Sequence, residues 1–316
     1  MQLVTLGEAM LRLSVRQGDR LEDASAFDVH VAGSEANVAF AAARVGLRSA
    51  WVSTLPNNPL GRRVAATLDA GGVDTSHVTW VEKGRVGLYF VEMAVAPRPI
   101  SVVYDRARST FAEATPDLFD WEAIADTEFF HVCGITLGLS DSCLKIAVRA
   151  MEEARRRRAV VTFDVNYRER LWTAETAAQT IRSVSQLIGV LICTAEDARD
   201  LFDVTGSPDL AVARLSEHLG IGTVVLTLGA QGAIALHEGR LYERRGHMVE
   251  TIDRVGAGDA FAAGLVWGLL DGSIELGVER GLAMGALKMT LHGDLFRLDA
   301  ADVVALMTRP GREVGR

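Results

Sequence analysis

The sequence predicts an α/β fold in which a mainly parallel central sheet is sandwiched between layers of helices. Three observations carry this expectation. From Ala50 to the end of the chain, strand-like and helix-like stretches alternate, the order that βαβ units produce. The 316 residues contain no linker and no internal repeat, and their number is within range for a single large α/β domain. An apolar content of 49% against 23% charged residues supplies ample material for a core.

Charge and cysteine usage exclude several classes. A formal net charge of −8 argues against a nucleic-acid partner but leaves room for an anionic substrate where arginines gather. Cys133, Cys143 and Cys193 form no CxxC pair and leave one odd thiol, which fits a reducing compartment. No histidine pair has metal-ligand spacing. The N-terminus opens on a strand-like run, Leu3 to Leu6, without a basic, signal-type region. The longest apolar run, Ala260 to Leu270, is too short to cross a bilayer. The expectation is a cytoplasmic protein with no membrane partner.

Taken in order, Gln2 to Leu6 reads as a strand, followed by Gly7-Glu8 and an alternating stretch, Met10 to Val15. In Val31-Ala32-Gly33-Ser34-Glu35-Ala36-Asn37-Val38-Ala39 and on to Gly46, the second half is rich in helix formers and Gly46 is a fitting C-cap. Gly33 lets a ligand approach the backbone, and Asn37 offers a donor and an acceptor one turn into the helix. Equally, the two are a plain turn residue and a polar first-turn residue. Ala50 to Thr54 is a strand, Leu55 to Gly61 a loop and Arg62 to Ala70 a helix. Val86 to Val95 and Ile100 to Arg106 form a hairpin joined by Ala96-Pro97-Arg98-Pro99, with Ile100, Val102, Tyr104 and Arg106 on one face.

Thr127 to Val132 reads as a strand, and a helix capped by Ser140 or Asp141 runs to Arg158. The run Arg155 to Arg158 is a solvated helix end, where cations suit the negative dipole terminus. Val160 to Asp164 is a buried strand, and Asp164, Asn166 and Arg168 issue from its C-terminal end, the edge where open parallel sheets bind ligands. Val184 to Thr194 reads as another strand, with Glu196 opening a helix. Val224 to Leu228 and Ala233 to His237 flank the Gly-rich turn Gly229-Ala230-Gln231-Gly232, and Leu282 to Leu291 is helical.

The chemistry concentrates in Asp253-Arg254-Val255-Gly256-Ala257-Gly258-Asp259-Ala260-Phe261. Gly256 and Gly258 permit a loop whose successive N–H groups converge, and the helix that follows adds partial positive charge at its start. That is an anion hole, and a carboxylate beside it, Asp259, suits a base acting next to a bound phosphate. A tight turn with Asp259 as helix cap is the bland alternative.

The string Asp253-x-x-Gly256-Ala257-Gly258-Asp259 resembles the C-terminal signature of the ribokinase-like, or PfkB-type, carbohydrate kinases, and Gly33-x-x-x-Asn37-Val38-Ala39 resembles their N-terminal one, with Ala32 in place of its first Gly. Leu55-Pro56-x-Asn58-Pro59-Leu60-Gly61 and Asn166-Tyr167-Arg168-x-x-Leu171-Trp172 are similar to the 2-keto-3-deoxygluconate kinase branch. The resemblance implies a three-layer α/β/α sandwich with a small β-sheet lid, one kinase domain over 1–316 and lid segments near 8–30 and 85–110. It implies Asp259 as catalytic base and Gly256, Ala257 and Gly258 as anion hole, with Gly33, Ser34, Asn37, Tyr89, Tyr104, Arg106, Arg168, Asp253 and Asp259 on the substrate. Arg106 and Arg168 would grip a carboxylate, a contact that neutral-sugar kinases do not need. Asn166, Arg168, Thr227, Gly229, Ala230, Gly232, Gly256, Gly258 and Ala286 would face the nucleotide. Glu196 would serve Mg2+ indirectly, although the Asn that the family places three residues before it is Cys193 here.

ATP with Mg2+, a monovalent cation near Asp253 and a homo-oligomer through the lid belong to the same expectation. The implied activity is ATP-dependent phosphorylation of 2-keto-3-deoxygluconate to the 6-phosphate. A ribokinase- or fructokinase-type neutral-sugar kinase and a non-catalytic sugar-binding homologue remain open. A Rossmann oxidoreductase does not, because no early Gly-x-Gly-x-x-Gly is present, nor does a P-loop NTPase.

Overall fold

The computed structural model describes residues 1–93, 97–124 and 126–308. In chain order the elements are β1 (Leu3–Leu6), β2 (Met10–Ser14), β3 (Asp28–Ala32), α1 (Ser34–Arg44), β4 (Ser49–Pro56), α2 (Pro59–Asp69), β5 (Val78–Val81), β6 (Gly87–Glu92), β7 (Ser101–Asp105) and β8 (Phe129–Cys133). They continue with α3 (Gly134–Leu139), α4 (Asp141–Arg156), β9 (Val160–Asp164), α5 (Ala174–Val184), β10 (Val190–Thr194), α6 (Ala195–Phe202), α7 (Pro208–Leu219), β11 (Thr223–Thr227), β12 (Gly232–His237), β13 (Arg240–Arg245), α8 (Ala257–Leu270), α9 (Ile274–Met289) and α10 (Ala300–Thr308).

The larger sheet has the order β13-β12-β11-β10-β9-β8-β1-β4-β5. Its pairs are parallel from β5 through β11, and β12 and β13 add an antiparallel edge. Successive strand residues face opposite sides, so both faces must be covered. Leu191, Cys193, Val224 and Leu226 pack with Ile146 of α4, Ile181 of α5 and Val212 of α7. Val190, Ile192 and Val225 pack on the other face with Val38 of α1, Leu265 of α8 and Val278 of α9. This is the expected α/β/α sandwich. A smaller sheet, β3-β2-β6-β7, makes the lid.

Helix α8 is apolar on nearly every side and therefore lies inside the molecule. It touches α9 backbone to backbone: a Cβ on Gly268 would run into the amide nitrogen of Gly277, and one on Gly264 would come within 2.6 Å of that of Gly281. Because α8 is wedged in this way, its N-terminus is a rigid platform.

The expected boundaries differ in several places. Val184–Thr194 is not one strand. Ala177, Ala178, Ile181 and Val184 form a buried stripe at helical spacing, so α5 runs to Val184 and the strand starts only at Val190. Helix α2 begins at Pro59 rather than Arg62, because the Asn58 side chain caps it by accepting from the amides of Leu60 and Gly61. Helix α9 begins at Ile274, capped by Ser273, not at Leu282. The hairpin strands are Gly87–Glu92 and Ser101–Asp105, so Arg106 falls just past the second. The expected strand end at Val95 and the turn residue Ala96 lie outside the described residues. Among the described residues, no helix is long and apolar enough to cross a membrane.

Candidate active site

Strand order reverses between β1 and β8: β1 continues to β4 and β5 on one side, while β8 leads through β9 and β10 to β11 on the other. The crevice at the C-terminal strand ends beside such a reversal is where open α/β sheets bind ligands. A cavity of about 1460 Å³ lies there, roofed by Tyr89, Tyr104 and Arg106 of the lid and floored by Gly33, Asp164, Gly256 and Asp259.

Asp259 sits in the first turn of α8, and the start of α1 clamps it. Its Oδ1 accepts a hydrogen bond from the Ser34 hydroxyl at 2.7 Å and its Oδ2 one from the Asn37 amide at 2.7 Å. The Ser34 hydroxyl accepts in turn from the Asn166 amide at 3.0 Å. Asn166 adopts the left-handed conformation (φ 41°), which Asn tolerates better than most residues and which turns its side chain back toward α1. Three segments distant in sequence therefore meet at one carboxylate. Burial raises the Asp259 pKa above the ordinary range, against the lowering effect of the Asn37 and Ser34 hydrogen bonds. A raised pKa makes it a better proton acceptor. Asn37 Oδ1 is buried with no partner among the described residues, an acceptor left open beside the cavity.

The glycine loop enters α8 through Gly256 in a left-handed conformation (φ 85°), and a Cβ there would collide with the carbonyl oxygen of Asp294. First-turn amides of a helix have no intrahelical acceptor. The Ala257 amide donates to the Arg254 carbonyl at 3.3 Å, closing the turn that leads into α8. Gly256 and Gly258 line the cavity.

Arg106 departs from expectation. Its Nε and Nη2 both donate to one oxygen of Glu8, whose other oxygen accepts from the Ser109 hydroxyl. It borders the cavity with its charge already paired to Glu8. Asp253 departs further. It is buried behind the cavity wall, paired with Arg12 at 2.8 Å and accepting from the amides of Val255 and Gly293. Its contacts brace the loop, and the substrate role expected for it is not supported. Arg168 lines the cavity, and its guanidinium's only hydrogen bond among the described residues goes to the adjacent Tyr167 carbonyl at 2.8 Å. Tyr89 stacks on Tyr104 with ring centroids 5.6 Å apart.

Two cavity residues escaped the sequence reading. Asp294 accepts from the Tyr89 hydroxyl at 2.5 Å and from Arg12 at 2.7 Å, tying the lid to the loop behind the anion hole. Arg12, a cation in an otherwise apolar strand, was the signal that a buried acid had to exist. Asp197 faces the cavity, whereas Glu196 points to solvent. Thr194 caps the helix by accepting from the Asp197 amide at 2.9 Å, which sets the helical phase and leaves Glu196 exposed. Burial, together with Asp259 and Asp197, lifts the Asp164 carboxyl to about 8.

The expected nucleotide residues divide. Asn166 and Arg168 are in the cavity. Thr227 continues its edge, since it pairs in register with the cavity residue Thr194, and the exposed turn of Gly229 and Ala230 follows. Gly232 packs against the Arg244 carbonyl, so its missing side chain serves the sheet edge. Ala286 is buried on α9 outside the cavity wall.

Glu35, between Ser34 and Ala36 in the first turn of α1, is fully buried. It accepts from the Cys133 amide at 3.1 Å and the Thr136 hydroxyl at 2.6 Å, and burial lifts its pKa from 4.5 to about 7. A carboxyl whose folded pKa is raised contributes stability below its unfolded pKa and loses it as pH rises through the folded value. Global stability is therefore expected to fall between about pH 4.5 and 7, by roughly 3 kcal/mol from this group at most. Urea unfolding of wild type and Glu35→Gln across that window checks this. The Gln variant should show the flatter profile, and parallel profiles would contradict the assignment.

Comparison with known proteins points the same way. The sequence profile described as pfkB family carbohydrate kinase matches residues 1–300. The 2-dehydro-3-deoxygalactonokinase of Haloferax volcanii is 37% identical over 295 residues, covering 93% of this chain and 92% of that protein. The 2-dehydro-3-deoxygluconokinase of Thermoproteus tenax is 34% identical over 296 residues, covering 92% and 89%. The crystal structure of 2-dehydro-3-deoxygluconokinase from Thermotoga maritima superposes with a TM-score of 0.92 at 34% identity, covering 98% of each chain. With both signatures at one carboxylate and the match running nearly end to end, the chain belongs to the pfkB family of carbohydrate kinases.

Proposed function

We propose that the chain transfers the terminal phosphoryl group of ATP to the C6 hydroxyl of a 2-keto-3-deoxy sugar acid of the gluconate or galactonate type. The observation that carries this is Asp259, buried, clamped by Ser34 and Asn37, and placed at the N-terminus of α8 under a lid. Asp259 takes the hydroxyl proton as the oxygen attacks, and the α8 N-terminus with Gly256 and Gly258 stabilises the charge on the transferring group. Asn37 Oδ1 and Gly33 hold the acceptor. Tyr89 and Tyr104 cover it and exclude water.

Mg2+ bound to the nucleotide supplies neutralisation of the phosphate charge. Asp164 and Asp197, hard oxygen donors whose mutual repulsion a cation relieves, are the residues that would hold it through water. With Arg106 committed to Glu8, Arg168 carries the case for an acidic substrate: it lines the cavity and makes no ion pair among the described residues. The names of the Haloferax and Thermoproteus relatives support the same substrate class.

In this reading residues 1–316 act as one kinase domain, with 8–30 and 85–110 as lid. Val103, about half exposed on β7, supports a second copy docking at the lid. The buried free thiols of Cys133, Cys143 and Cys193 support a cytoplasmic setting. ADP release across 2-keto-3-deoxygluconate, 2-keto-3-deoxygalactonate, ribose and fructose tests the proposal. An acid is expected to exceed the neutral sugars by at least about 30-fold in kcat/KM, and equal turnover would contradict it.

A further inference from the structure

Lys288, in the last turn of α9, has no exposed surface. Its ammonium donates to the backbone carbonyls of Asp253 at 3.2 Å and Leu291 at 3.3 Å, and among the described residues it forms no ion pair with a carboxylate. Burying a cation on neutral acceptors is expensive, so what those two carbonyls do matters. Asp253 starts the loop that ends in Gly256. Leu291 starts the loop that ends in Asp294, whose carbonyl packs against Gly256. The loops are also tied by the amides of Ile252 and Asp253, which donate to Met289 O, and by the Gly293 amide, which donates to the Asp253 carboxylate. The ammonium sits where these loops converge, at a helix C-terminus whose dipole favours positive charge.

The monovalent cation expected near Asp253 does not fit this arrangement. The Asp253 carbonyl oxygen is already taken by the ammonium, and a second cation beside it would be repelled. We propose that Lys288 is a built-in cation: a positioning residue that joins the Asp253 and Leu291 loops, holds Gly256 in place and makes turnover independent of added K⁺ or Na⁺. This inference rests on the phosphoryl-transfer reading of the site.

Three measurements test it. Wild-type rate with tetramethylammonium as the only added cation should match that in K⁺ within about twofold. Lys288→Ala, which opens space for a small cation, should lose at least about tenfold in kcat/KM for ATP, with KM for the sugar acid changing little, and should recover partly in K⁺ or NH₄⁺ but not in tetramethylammonium. Lys288→Met, which fills the stem volume without charge, should show the loss without the recovery. The thermal midpoint of Lys288→Ala alone should rise with K⁺ or NH₄⁺, as specific binding to the folded state requires.

A wild-type requirement for K⁺, or an Ala variant that is folded and equally affected in every salt, would overturn the proposal. If Lys288→Ala does not fold, the wild-type salt comparison decides. If wild type transfers no phosphate to any sugar or acid, the kinase reading fails, and the cation-specific thermal shift still decides the role of Lys288.

Discussion

Asp259→Asn is expected to lower kcat by about two to four orders of magnitude, the usual cost of removing a general base. The substitution suits the site because it can keep the fold of the clamp. The Asn oxygen can accept from the Asn37 amide, and its NH₂ can donate to the Ser34 hydroxyl, which rotates. What is lost is the acceptor for the substrate proton. The Asp259 carboxylate binds Ser34 and Asn37 of α1, and the proposed phosphate contacts come from the loop and helix amides instead. ATP affinity, read from ATP titrations of the variant without sugar acid, should therefore stay close to that of wild type. Turnover within about tenfold of wild type would remove Asp259 as base.

Arg168→Ala is expected to cost about 2 to 4 kcal/mol with the sugar acid, or roughly 30- to 1,000-fold in kcat/KM, through loss of a charge-assisted, bidentate contact in a closed site. A neutral sugar of similar length never makes that contact, so its poor turnover should change little. If Arg168 only braces its own loop through the Tyr167 carbonyl, both substrates should fall together. The ratio of the two kcat/KM values separates these outcomes, and an unchanged ratio would remove the carboxylate role from Arg168 and leave a generic sugar kinase.

The sequence was most legible where one local signal decides the structure. The alternation of strand and helix gave the sandwich. The glycines before Asp259 gave the start of α8, and the Asp164–Arg168 string fell at a strand end on the ligand-binding edge, as read. Tertiary pairing was less legible. Nothing local to Arg106 reveals Glu8, which lies 98 residues earlier, and nothing local to Asp253 reveals Arg12. Arg106 and Asp253 read as site residues in sequence, and the fold pairs each with a partner that the sequence did not single out, Glu8 and Arg12. Asp294 stands in no motif and becomes visible only when Tyr89 and Arg12 converge on it. Glu196 and Asp197 are neighbours in sequence, and only the helical phase set by Thr194 tells which one enters the cavity.

Phosphorus NMR of the wild-type reaction with ATP and 2-keto-3-deoxygluconate tests the central claim most directly. The expected result is ADP and one new phosphomonoester in equal amounts, with the phosphorus coupled to the C6 methylene protons. Inorganic phosphate without an ester, or a spectrum in which ATP is not consumed, would contradict a site built to pass a phosphoryl group to the hydroxyl held at Asp259.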